Sequence, residues 1–178
     1  MKYYLSSYQL GDKINQLKSL IKKTSGKFGY IPNALDFTKA NLARRKKHIK
    51  SDMKDLEKNG AKVELLGLKS YFGKKESLKK KLLFLGGVYV SGGTTFVLRQ
   101  AMKLSGFDEL LFEMPSRDNF LYIAYSAGVC LLTKSMRQYA ITDDAKDFPY
   151  PQIQKQIWEG LSIIDFVFEP HYKSDHPE

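Results

Sequence analysis

The sequence predicts an α/β domain, a three-layer α/β/α sandwich built on a mainly parallel sheet. Two observations predict it. Short strand-like runs alternate with segments of helical apolar spacing along all 178 residues. The chemistry-bearing segments SGGT at 91–94, SAG at 126–128 and PH at 170–171 each follow a strand-like run. In parallel sheets the functional groups collect at such carboxyl ends. The length suits one domain with a real core, taken as 1–178.

The elements follow in order. Residues 2–6 are short and aromatic-rich, a first strand. Over 12–23, Ile14, Leu17, Leu20 and Ile21 recur at helical spacing, and Gly26 is the stop. Residues 28–31 form a second strand ending at Pro32. Over 40–59, Leu42, Ile49, Met53 and Leu56 share one helical face, charges take the rest, and Asn59-Gly60 ends the helix. Residues 62–66 read as a third strand, 77–85 as a short helix and GVYV at 87–90 as a fourth strand. A helix over 94–104 presents Phe96, Val97, Leu98, Ala101 and Met102. A helical turn at 108–113, a fifth strand at 120–125 and a helix start at 127–132 come next. The polar, proline-bearing 142–151 is a loop, and IIDFVFE at 163–169 is a sixth strand.

Composition narrows the class. No apolar run approaches the roughly 18 residues of a membrane span. The opening MKYYLSSYQLGDK lacks the apolar core of a secretory signal, so a cytoplasmic location is the expectation. The single cysteine, Cys130, excludes an internal disulfide and fits a reducing compartment. The net charge of +10 is uneven: the first 81 residues hold 21 Lys/Arg against 7 Asp/Glu. The runs Arg44-Arg-Lys-Lys47 and Lys79-Lys-Lys81 would serve as phosphate contacts in a nucleic-acid binder. With no aromatic residues interleaved, they read instead as solvated helix faces, and nucleic acid is not an expected partner.

Ser126 sits between a strand and a helix with small neighbours, the setting of a nucleophile elbow. Such a turn is sharp and strained, and it exposes the side chain. Ala124 stands where that pattern has glycine. The alternative is a helix N-cap serine. The stretch Gly87–Thr94 nearly has the spacing of a phosphate loop, but Gly93 stands where the lysine belongs, so ATP is not expected. The Gly92-Gly93 turn reads instead as a source of backbone N–H donors for an oxyanion, or as an ordinary turn with Thr94 or Thr95 capping the next helix. Of the three histidines, His48 lies in the basic helix and reads as exposed, while His171 is fixed at a strand end and could serve Ser126 as base. A metal-binding cluster of His171, Asp175 and His176 lacks a recognised spacing, so no metal and no cofactor are expected.

Together these segments resemble the peptidase E (aspartyl dipeptidase) family, serine peptidases on a class I glutamine amidotransferase-like fold. The resemblance rests on MKYYLSS at the start, YIPNALDF at 30–37, VELLGLKSYFGKKE at 63–76, SGGTTFVLRQAMKLSGFDELL at 91–111, YSAGVCLL at 125–132, IWEGLSIIDF at 157–166 and PHYKSDHPE at 170–178. It implies a nucleophile at Ser126, a general base at His171, and an oxyanion hole from the N–H groups of Ala127 and of Gly92 or Gly93. It implies hydrolysis of small peptides with an N-terminal aspartate. Serine at the elbow argues against glutaminase chemistry, and Cys130 reads as a packing residue. Thr94 replaces the family's asparagine beside the oxyanion loop, and Arg137 and Lys173 are cations available to an aspartate side chain. The triad's acid would be Asp143 or Asp144, or would lie in C-terminal elements that relatives have beyond the point matching Glu178. Without them a sheet edge would invite pairing with a second chain. The competing expectation is a weakly active or inactive homologue that binds a small ligand.

Overall fold

The computed structural model describes residues 1–113 and 118–172. Five strands, β1 (Lys2–Ser6), β2 (Lys27–Ile31), β3 (Lys62–Leu65), β4 (Gly87–Val90) and β5 (Leu121–Tyr125), form one sheet in the order β1-β5-β4-β2-β3. Every pairing is parallel. Parallel neighbours need long crossovers. These contain α1 (Ile14–Ile21), α2 (Leu42–Lys58), α3 (Lys75–Leu83), α4 (Thr95–Ser105) and α5 (Phe107–Glu113), and a one-turn α6 (Ala127–Cys130) follows β5. Among the described residues no helix is long and apolar enough to cross a membrane.

The α/β/α layering shows in β5, whose five residues are all buried. Leu121, Ile123 and Tyr125 point into one core, shared with Leu17 and Ile21 of α1 and Leu56 of α2. Tyr122 and Ala124 point into the other, shared with Leu78 and Leu82 of α3 and Phe96 and Leu98 of α4. Side chains alternate faces along a strand, so a strand buried throughout must be covered on both sides. Each such Leu, Ile or Phe contributes roughly 1.5–3 kcal/mol of transfer free energy. The central strands and the turns after them are thereby firmly seated.

The expected sixth strand is absent. Residues 163–169 carry no strand, and their chain follows the turn after α6 instead. The N–H groups of Ile163 and Ile164 both donate to the Leu132 carbonyl, and that of Leu161 donates to Leu131. Both isoleucines pack on the core, which a strand's alternation would not allow, while Phe166 and Val167 stay exposed. The basic runs also find partners. Lys79 pairs with Glu113 at 3.0 Å and Lys81 with Glu64 at 2.8 Å. Asn41 caps α2, its side chain accepting the Arg44 N–H at 2.9 Å.

Candidate active site

β5 ends at Tyr125, and Ser126 turns the chain into α6 with φ +47° and ψ −118°. A non-glycine residue in that region costs on the order of 1–3 kcal/mol, and its surroundings must hold it there. The Ser126 carbonyl accepts the N–H groups of Val129 and Cys130 at 2.8 and 2.9 Å, and its own N–H donates to the Ser6 carbonyl at 3.4 Å. Small neighbours are needed: a Cβ on Gly128 would stand 3.1 Å from the Ala124 Cβ and 3.0 Å from the Val90 carbonyl oxygen. The Ser126 side chain makes no helix-cap bond. Its Oγ lies 3.2 Å from His171 Nε2.

His171 comes from the irregular segment, not from a strand end. Its N–H donates to Ser7 Oγ at 2.7 Å, and its ring meets Tyr8 edge-on at 5.8 Å. The segment is tied down just upstream, where the Tyr139 hydroxyl donates to the Phe168 carbonyl at 2.7 Å. His171 and Ser126 thus reach each other across 45 residues from two differently built parts of the chain.

The turn after β4 completes this wall. A Cβ on Gly92 would stand 2.6 Å from Cε2 of Tyr125 and 3.1 Å from the Ser126 Cβ, so only glycine lets this backbone lie against Ser126. Gly93 has φ +132°, and a Cβ there would meet the Ala34 carbonyl at 2.4 Å. Thr94 is spent locally: its N–H donates to the Ala34 carbonyl at 2.8 Å, and its side chain does not cap α4. Asp143 supplies that cap from 48 residues away, with Oδ2 accepting the Thr95 N–H at 2.7 Å. Burial raises the Asp143 carboxyl above its ordinary range, against the lowering effect of the Thr95 bonds. Asp144 is exposed, and its Oδ1 accepts the Lys146 N–H at 2.8 Å in a local turn. The bonds of Asp143 therefore go to Thr95, and that of Asp144 to a neighbouring backbone donor.

These elements open onto a cavity of about 770 Å³, lined by Ser126, His171, Gly92, Gly93 and Asp143, and by Thr95 where Thr94 had been expected. Its cations come from α2 and the chain before it, Lys39, Arg44 and Arg45, with His48 beside them. Arg45 is paired with Asp36, whereas Arg44 enters no ion pair among the described residues. Arg137, the sequence-based choice for this role, lies elsewhere. Its guanidinium sits 4.8 Å over the Trp158 ring, beside a separate cavity of about 340 Å³. Arg99 pairs with Asp108 at 2.7 Å. His48, expected on the surface, is a half-buried wall of the main cavity. Lys173, Asp175 and His176 lie outside the described residues. Cys130 is 2% exposed, and burial pushes its thiol up to about 12, so it stays protonated at neutral pH.

This architecture is also found in peptidases. A crystal structure of a peptidase E candidate from Listeria monocytogenes EGD-e superposes with a TM-score of 0.77 at 25% identity, covering 98% of this chain and 81% of that one. A peptidase from an acI-B1 actinobacterium shares the fold, with a TM-score of 0.62 at 15% identity over 95% of this chain and 67% of that one. In sequence, the uncharacterized peptidase Lmo0363 of Listeria monocytogenes is 30% identical over 130 residues, 71% of this chain and 58% of the relative. The uncharacterized peptidase Lin0382 of Listeria innocua is 32% identical over 87 residues, 49% of this chain and 39% of that one. The chain thus spans about half the length of these curated relatives. The model for peptidase family S51 matches residues 5–178, and the chain belongs to that family.

Proposed function

We propose that the chain acts as a serine peptidase on small peptides with an acidic N-terminal residue. The observation that carries this is Ser126 Oγ, held on a strained turn 3.2 Å from His171 Nε2. That is hydrogen-bond reach for a general base and its nucleophile. In the proposed reaction Oγ attacks the scissile carbonyl carbon as His171 Nε2 takes the hydroxyl proton. The carbonyl oxygen, now an oxyanion, accepts the N–H groups of Ala127 and of the Gly92-Gly93 turn. Collapse breaks the C–N bond, and His171 returns the proton to the leaving amine. Water then attacks the acyl-serine by the same route. Asp143 serves α4 as its cap and takes no part as the orienting acid. Cys130, a buried thiol, also stands outside the reaction.

The cavity volume suits a small ligand. Arg44, a cation at its rim without an ion pair among the described residues, supports a substrate carboxylate there. The test is hydrolysis of Asp-X dipeptides together with labelling by a serine-directed phosphonate, read by intact mass. Wild type should hydrolyse and carry one label, and Ser126→Ala should do neither while keeping its melting temperature. Wild-type protein that neither hydrolyses nor labels would overturn the proposal.

A further inference from the structure

Tyr125 immediately precedes Ser126 and lines the same cavity, and its hydroxyl reaches a buried polar cluster. One face of α2 points there. Arg44, His48, Asp52 and Leu56 recur every four residues and so share that face. Leu56 and Asp52 are buried at 0% and 1% exposure. Asp52 Oδ2 accepts the hydroxyls of Tyr30 and Tyr125, each at 2.7 Å. His48 Nε2 lies 2.7 Å from the Tyr125 hydroxyl and 3.4 Å from Asp52 Oδ2.

The proton count fixes the direction of each bond. A carboxylate only accepts, so both phenols donate their hydrogen bonds to Asp52. Burial, reinforced by the Asp52 charge, holds both phenols well above their ordinary range, and they keep those protons. The Tyr125 oxygen therefore accepts from His48, whose Nε2 carries the hydrogen. Packing does not require such a set, because apolar groups of similar size fill buried sites as well or better. What it adds is orientation. Hydrogen bonds from two residues of α2 fix the far end of the Tyr125 ring. The ring's near edge lies where a Gly92 Cβ would be 2.6 Å from Cε2, so a swing of the ring presses on the oxyanion turn. The ring's own main chain runs straight into Ser126 at φ +47°.

We propose that Tyr125, clamped by Asp52 and His48, is a positioning residue that sets Ser126 and the Gly92-Gly93 turn in register with each other. The catalytic part of this proposal rests on the peptidase reading, and the structural part does not. The test uses the full chain with Tyr125→Phe, which keeps the ring and removes the hydroxyl, and with His48→Ala and His48→Gln. Amide NMR should show the Gly92, Gly93, Ser126 and Ala127 signals displaced in Tyr125→Phe and in His48→Ala, with His48→Gln, which retains a donor, partly restoring them. With a dipeptide substrate, kcat should fall about 10- to 100-fold at nearly constant KM, the penalty of a small misplacement of reacting groups. Should Tyr125→Phe not fold, the two His48 variants carry the same comparison. Unmoved amides at those four positions in the folded variants overturn the proposal whether or not the wild type is active. A wild type that the phosphonate does not label overturns the peptidase reading and leaves the amide result to decide the clamp.

Discussion

Asp143 separates two roles that sequence position alone would merge. In the structure it caps α4, and Asp143→Ala strands the N–H of Thr95, a residue only 2% exposed. Losing an N-cap costs about 0.5–2 kcal/mol, within the roughly 1–3 kcal/mol of an unsatisfied buried donor. Removing a carboxyl that burial disfavours in its charged form gives part of this back. The net expectation is about 1 kcal/mol, or about 2–4 °C in Tm for a chain of this size. Asp143→Asn keeps an acceptor oxygen, and Asn caps about as well as Asp, so its Tm should stay within about 1 °C of wild type. Its kcat/KM should stay within about threefold, under 1 kcal/mol in the barrier. If Asp143 instead oriented His171, Asn would leave Tm alone and cut turnover by about 10⁴. Calorimetry and dipeptide kinetics on both variants decide it. A loss of 10³ or more in Asp143→Asn at unchanged Tm would refute the capping argument.

The pH profile of stability gives an independent check. A carboxyl raised by burial binds its proton more tightly folded than unfolded, so stability falls as pH rises from the ordinary value of 3.8 through the raised one. Asp143→Asn should flatten that part of a Tm-against-pH curve. Arg44→Ala should raise KM for Asp-X dipeptides about tenfold with kcat nearly unchanged, as for loss of uniform binding. Arg137→Ala, stacked on Trp158, should leave KM unaltered. Gly92→Ala should cost about 1–3 kcal/mol of stability, because its Cβ has only the Tyr125 ring and Ser126 to displace. It should also slow phosphonate labelling, and an unchanged labelling rate would contradict the close approach of the turn.

Much of this was legible in the chain before folding. Buried strands announce themselves by apolar runs, and the residue types at their ends single out Ser126, Gly92 and Gly93. His171 does lie within reach of Ser126, but no strand delivers it there. IIDFVFE is apolar enough for a strand, but its first two donors are taken by the Leu132 carbonyl, a competition between distant backbone groups that no local pattern reveals. The basic helix misleads differently. Its apolar residues suggested which face is buried, yet Asp52 is buried on it and His48 borders the cavity. A pattern that scores charge as solvent-facing cannot see a carboxylate satisfied by two tyrosines from other strands. The four-residue spacing of Arg44, His48, Asp52 and Leu56 was the available signal. The cap from Asp143 is equally invisible in sequence, because Thr94 and Thr95 were the nearer candidates for the same bond.

The unequal mounting of Ser126 and His171 has a thermal consequence. Ser126 rides on a central strand whose opening requires breaching both cores. His171 hangs from a segment outside the sheet, held beyond Ile164 by contacts that include those of Ser7 and Tyr139. Such a segment can detach in a sub-global opening well below the free energy of complete unfolding. The pair would then come apart while the sheet stays intact. Heat should silence such a molecule before it melts, and restore it on cooling from any temperature short of that melt.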